Sequence, residues 1–195
     1  ACKNWRLMTM EALSTHPTVL PSPKEKRLFH ILAITAGAIA ALLPIGLVGF
    51  WMGVVPDGVW GSAVPGLPIH AELDLGKRVG AVALGLIPMG LLVWGILRVR
   101  QTFMAFAAGE VFSARAISGL RDFAIGVGAS ALIKPLITAL LSLFLTWDAP
   151  AGSRQLVLQF GSDTALFVLF AGAFLAATWS MQRAALLAEE NSQFV

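Results

Sequence analysis

Apolar residues in this chain come in long uninterrupted blocks. Four blocks stand out, at 31–55, 79–97, 123–147 and 164–181. A helix needs about 20 apolar residues to cross the hydrocarbon core of a bilayer. The first block holds no charge. The second is bounded by Lys77-Arg78 and Arg98, the third by Asp122 and Asp148, and the fourth by Asp163 and Arg183. In lipid, the backbone of a single apolar run is satisfied only by its own helix. A transmembrane β-barrel would show alternating strands of about 10 residues, and these blocks do not alternate. The pattern predicts an all-α, four-helix transmembrane bundle. It divides the chain into an N-terminal segment (1–29), a membrane domain (30–187) and a short tail (188–195).

The charges between the blocks predict an orientation. One side carries Lys3, Arg6, Lys24, Lys26 and Arg27 before the first block, Arg98, Arg100, Arg115 and Arg121 in the middle loop, and Arg183 after the last: ten basic residues. The other side carries three, Lys77, Arg78 and Arg154. Basic residues concentrate in cytoplasmic loops, so both termini are expected in the cytoplasm. Trp51, Trp60 and Trp147 then fall near the outer interface, and Trp94 and Trp179 near the inner one. Residues 1–29 contain no apolar core of the signal-peptide type, and the first block reads as an anchor that stays.

Composition narrows the class. The 195 residues are 57% hydrophobic and 13% charged, with a mean hydropathy of +0.78. A soluble domain carries about 25% charged residues. The net charge of only +3 gives no basic face for nucleic acid. The single cysteine, Cys2, forms no disulfide within the chain.

The loops carry weaker signals. The outer loop 56–78 is rich in Pro and Gly and is expected to fold back as a small cap. The outer loop 148–163 is expected to hold a short helix or strand at 154–160. The inner loop 98–122 reads as mostly helical, broken at Gly109, with Ser113 as the N-cap of a lengthened third helix. Pro44 and Pro135 sit mid-block as expected kinks. Spans one and three share that proline and end near Trp51 and Trp147, the pattern of a two-hairpin duplication.

The third block carries the most informative feature. Asp122, Gly126, Ser130, Lys134, Thr138, Ser142 and Thr146 recur at every fourth position. Residues four apart are neighbours on a helix, and the row drifts about 40° per step because a turn takes 3.6 residues. Helix packing accounts for part of it: Gly126 and Ser130 are a small-xxx-small pair. Ala36/Ala40, Gly37/Ala41, Gly172/Ala176 and Ala173/Ala177 offer the same on spans one and four. Lys134 is different. A charged Lys at mid-span costs about 2.5–3.5 kcal/mol on insertion scales, and its side chain is too short to reach either surface. No Asp or Glu lies inside any block. Three readings stay open: an uncharged amine; a lysine bonded to backbone carbonyls, including that of Ala131, which Pro135 leaves without its usual donor; or a lysine paired with a carboxylate of another subunit or protein.

Catalytic patterns are absent. His16, His30 and His70 are scattered, and no histidine pair or Glu-x-x-His at ligand spacing occurs, so no metal or other cofactor is expected in the bundle. His70, Glu72 and Asp74 read as a solvated loop face. Neither Ser113 nor Cys2 has a nearby histidine to activate it, and no phosphate-binding glycine motif appears.

Two stretches are similar to a known family. Residues 106–113 read Phe-Ala-Ala-Gly-Glu-Val-Phe-Ser, including Gly109, Phe112 and Ser113, and Leu120-Arg121 opens the third span. The tail at 187–191 reads Leu-Ala-Glu-Glu-Asn. Over residues 25–195 the chain resembles the bacterial domain-of-unknown-function family 2975, small four-span proteins with a G-x-x-F-[ST] inner loop, a Leu-Arg start to span three and an acidic tail. This chain departs from the pattern at Ala116, where the family often has Asn, and at its Gln193-Phe194-Val195 ending. The resemblance implies the bacterial inner membrane and no particular activity.

The expected function is therefore a non-enzymatic multi-pass inner-membrane protein. It serves in interaction, assembly or regulation, with the bilayer and a second copy or another membrane protein as partners. The alternative is a small transporter or channel subunit using the ladder past Lys134. The charge asymmetry makes the first prediction. A C-terminal fluorescent-protein fusion is bright and an alkaline phosphatase fusion inactive; an active phosphatase there reverses the orientation.

Overall fold

The computed structural model describes residues 21–53, 73–111, 113–148, 154 and 156–192. Its elements are four helices: α1 (Pro23–Trp51), α2 (Leu75–Ala107), α3 (Ala114–Leu145) and α4 (Ser162–Ser192). Each is long and apolar enough to cross a membrane, and no strand occurs among the described residues. The all-α, four-span expectation holds. The expected cap at 56–78 lies largely outside the described residues, as do Phe112 and residues 1–20.

Local chemistry sets the helix ends. Ser22 caps α1 in a reciprocal box: its Oγ accepts from the Glu25 N–H at 3.3 Å, and Glu25 Oε2 accepts from the Ser22 N–H at 2.6 Å. Asp74 caps α2 through the Gly76 N–H. The α2–α3 turn follows the expected breaks. Gly109 takes φ +88°, a conformation that suits glycine. The Gly109 N–H donates to the Phe106 carbonyl and the Glu110 N–H to that of Ala105, the paired pattern of a Schellman stop. Ser113 then caps α3, its Oγ accepting from the Ala116 N–H at 3.2 Å.

The helices pack in chain order, α1 on α2, α2 on α3 and α3 on α4. Among the described residues no other pair of helices brings Cα atoms within 8 Å. Neighbours run antiparallel: Phe29 meets Phe106, Arg98 meets Asp122, and Phe123 meets Phe174. The start of α1 and the end of α4 therefore share one end of the molecule. The α1 seam is Ala33, Ala36 and Ala40, all buried, as expected of the Ala36/Ala40 pair.

The α2–α3 contact is the tightest. A Cβ on Gly126 would lie 2.7 Å from the Leu91 carbonyl oxygen and 2.9 Å from the Gly95 Cα. One on Gly119 would meet Thr102 Oγ1 and stand 2.7 Å from the Arg98 carbonyl oxygen. Thr102, fully buried, donates from Oγ1 to the Ala116 carbonyl at 3.0 Å. α3 is the central helix, with α2 on one side and α4 on the other. Pro44 and Pro135 lie within helices that continue past them, as does Pro88 in α2.

Several expectations are corrected. The described residues at 154–160 form neither helix nor strand; there the Val157 N–H donates to Ser142 Oγ at 3.0 Å, so the chain runs down along α3. α4 consequently begins beside Lys134, not at the top of α3. Eleven residues of α3 rise above that level to Leu145, about 16 Å at 1.5 Å per residue. This breaks the expected likeness of the two hairpins. Trp51 is buried at 3% exposure against Leu73, Ala81, Leu141 and Leu145, not facing lipid. Trp94, Trp147 and Trp179 are exposed. On α4 the expected small pairs Gly172/Ala176 and Ala173/Ala177 are exposed. The buried positions are Thr164, Ala171 and Thr178, seven apart, a two-turn repeat that keeps one face toward a neighbour. The tail is helical through Ser192.

These contacts separate the glycines sharply. Gly126→Leu forces the α2 and α3 backbones apart and lowers stability by about 1–3 kcal/mol. Gly46→Leu, with open space around it, leaves stability unchanged. Denaturation of the detergent-solubilised protein compares the two; equal midpoints contradict the packing described.

Candidate functional site

Among the described residues the first and last helices bring no Cα atoms within 8 Å of each other, and a gap lies between them. Behind it lies a groove of about 670 Å³ lined by all four helices. α1 contributes Leu47, Phe50 and Trp51; α2 contributes Gly85, Pro88, Met89, Leu92 and Ile96. α4 contributes Phe167 and Phe170 below Asp163 and Thr164. The polar part of the wall is confined to Ser130, Lys134 and Thr138 of α3 and Asp163 and Thr164 of α4.

The structure divides the four-residue ladder into three parts. At its lower end Gly126 is buried against α2. At its upper end Ser142 is fully buried; its Oγ donates to the Ala139 carbonyl and accepts from the Val157 N–H. Thr146, also buried, donates to the Ser142 carbonyl. Only Ser130, Lys134 and Thr138 reach the groove. The drift of about 40° per step turns the row from the α2 contact to the groove.

Lys134 has a partner on its own chain. Its Nζ lies 3.3 Å from Asp163 Oδ2, with the two side chains 61% and 55% exposed. None of the three sequence readings placed this carboxylate there. Asp163 looked like an outer boundary residue; the descent of the chain past Ser142 carries it down to the level of Lys134. No spacing rule predicts that depth, because it depends on the non-helical course of 156–161. The lysine is not buried within the chain, and its described hydrogen bond goes to the carboxylate, not to the carbonyls near Pro135.

Two further ion pairs bracket the groove. At the lower end Asp122, its side chain 8% exposed, accepts from Arg98 Nε at 2.8 Å and Nη2 at 2.7 Å. Arg121 Nη2 adds a contact at 3.4 Å. Arg98 also stands over Trp94, and the Arg100 side chain passes over Gly37, where a Cβ would lie 3.4 Å from its Nε. At the upper end Lys77 Nζ pairs with Asp148 at 2.9 Å and donates to the Leu145 carbonyl at 3.4 Å. Sequence reasoning placed Arg98 and Asp122 at span ends but did not join them. Opposite charges ending two adjacent antiparallel blocks were the available signal.

Of the other candidates, Arg121 is exposed beside Asp122, and Gly109 and Ser113 shape the turn as expected. Asp74 caps α2, His70 and Glu72 lie outside the described residues, and His30 Nδ1 lies 2.8 Å from the Lys26 carbonyl. No grouping of three or more potential metal ligands occurs among the described residues.

The buried carboxylate gives a stability test. Arg98→Ala leaves Asp122 with one weak partner and costs about 3 kcal/mol, the lower range for breaking a buried pair. Arg98→Met combined with Asp122→Leu recovers most of it. Unfolding in mixed micelles measures both, and a double variant as unstable as the single contradicts the pairing. Compared with protein-family models, with curated proteins and with solved structures, the chain matches none of them.

Proposed function

We propose that this chain is a non-enzymatic multi-pass protein of a bacterial cytoplasmic membrane that acts by binding, as an interaction, assembly or regulatory component. The observation that carries this reading is the groove between α1 and α4, lined by every helix and not closed by any contact between the first and last. Concave, mostly apolar sites with a few convergent polar groups are the usual form of a binding site. The lining is mostly apolar, with its few polar groups gathered around Lys134 and Asp163, a makeup that supports binding. The excess of Lys and Arg at the end shared by the start of α1 and the end of α4 supports a cytoplasmic position for that end. The Gly109–Ser113 turn and the Leu120-Arg121 start of span three support kinship with the family-2975 proteins.

A transport role has one observation in its favour: Lys134 and Asp163 face each other midway along the groove, and ionisable groups at such depth often mark pathways. The ladder is closed by packing at Gly126 and Ser142, which favours binding over a continuous path.

Native mass spectrometry from lipid nanodiscs tests the proposal. The chain carries a companion, lipid or protein, at a fixed ratio. Ser130→Phe, which fills the groove, strips it, and Leu136→Phe, on an exposed face of α3, keeps it. A bare chain, or equal retention in both variants, overturns the binding reading. For transport, loss of a flux in Lys134→Met proteoliposomes with the fold intact would decide for that role.

A further inference from the structure

We infer that the groove takes up a neutral amphiphile with one apolar chain, whose polar head bridges Lys134 and Asp163. This rests on the binding reading above and names its ligand.

Size excludes the larger occupant. A membrane-spanning helix, about 10 Å across and 30 Å long, fills roughly 2,000 Å³. The groove holds about 670 Å³, so it does not enclose a partner's whole helix. That volume is typical of sites for small molecules. Access points to the source. The gap lies between α1 and α4, along the flank of a bundle whose outer faces carry Ile34, Ile45, Leu166 and Leu169, all strongly exposed. Such faces belong against lipid, so the occupant arrives from the bilayer and is itself lipid-soluble.

The polar pair sets the head group. Lys134 has three N–H donors, and among the described residues one of them is used, on Asp163 Oδ2. More than half of each side chain remains open. In an apolar groove those unused donors and acceptors need a partner. Together the pair has no net charge. An ionic head would leave an unbalanced charge at half-depth, where a charge is costly. A neutral head with one acceptor and one donor, such as a hydroxyl beside an ester or an amide, answers Lys134 and Asp163 at once and adds no charge. The chain attached to it lies along Phe167 and Phe170.

The experiment uses the full chain in nanodiscs at neutral pH with three photoreactive probes of equal chain length: a monoacylglycerol, a fatty acid and an alkane. The monoacylglycerol labels groove peptides saturably and is displaced by its unlabelled form. The alkane labels them about tenfold less, the cost of losing hydrogen bonds to charged groups, and the fatty acid about tenfold less, the cost of an unbalanced charge at that depth. Lys134→Met with Asp163→Asn lowers monoacylglycerol labelling about tenfold; helix content and elution volume of the variant confirm its fold, and competition on the unmodified chain tests the idea without any variant. Equal labelling by all three probes, preference for the fatty acid, or full labelling of the double variant overturns the neutral-head assignment and leaves the groove standing. No labelling of groove peptides by any probe overturns the assignment and the binding reading together.

Discussion

Lipid gives two apolar helices little reason to meet, since the hydrocarbon around them is as apolar as their own side chains. Association then rests on close packing, and here the closest packing is between α2 and α3. Gly95, Gly119 and Gly126 let the two backbones approach until a methyl group would not fit. Thr102 uses that proximity to reach the Ala116 carbonyl, a bond a wider spacing would not allow. α1 leans on α2 and α4 on α3; among the described residues the two outer helices bring no Cα atoms within 8 Å of each other. The central hairpin is the frame, and the groove is the space its two outriders leave open.

The charges follow the same frame. Arg98–Asp122 ties α2 to α3 at one end, and Lys77–Asp148 joins α2 to the residues just after α3 at the other. Both occur where two antiparallel blocks end together, so a charge leaving one helix finds its opposite on the next. The third pair obeys a different constraint. Lys134 lies midway along α3 and acquires its carboxylate only because α4 starts about 16 Å below the top of α3.

That difference explains which features were legible in the sequence. The four blocks follow from composition alone, and the α2–α3 turn from Gly109 and Ser113, because a helix stop and a cap are local chemistry. Gly126 was legible as a small residue in a polar row. Gly95 and Gly119 were not singled out, because an apolar context hides which of several glycines faces a neighbour. On α4 a four-residue rule selected Gly172 and Ala176, whereas the buried face repeats every seven residues through Thr164, Ala171 and Thr178. Trp51 stands at the end of α1 as its position implied, but that its ring fills the end of the core was not legible. The partner of Lys134 was illegible for a physical reason. Hydropathy marks where a helix can begin, not the depth to which the preceding chain has already descended.

The short start of α4 links these points to function. An α4 beginning level with the top of α3 would place a full helix beside Ser142 and carry Asp163 well above Lys134. As it is, a non-helical stretch occupies that position, with the Val157 N–H held by Ser142 Oγ. The same descent brings an acid to the lysine and leaves both side chains more than half open to the groove. A pair with its carboxylate buried acts as a structural clasp, as Asp122 with Arg98 does. A pair left open inside an apolar wall has unused donors and acceptors in a place where unsatisfied polar groups are costly. The packing that could have covered them is absent because α1 and α4 do not meet. That opening is the feature on which the proposed ligand rests.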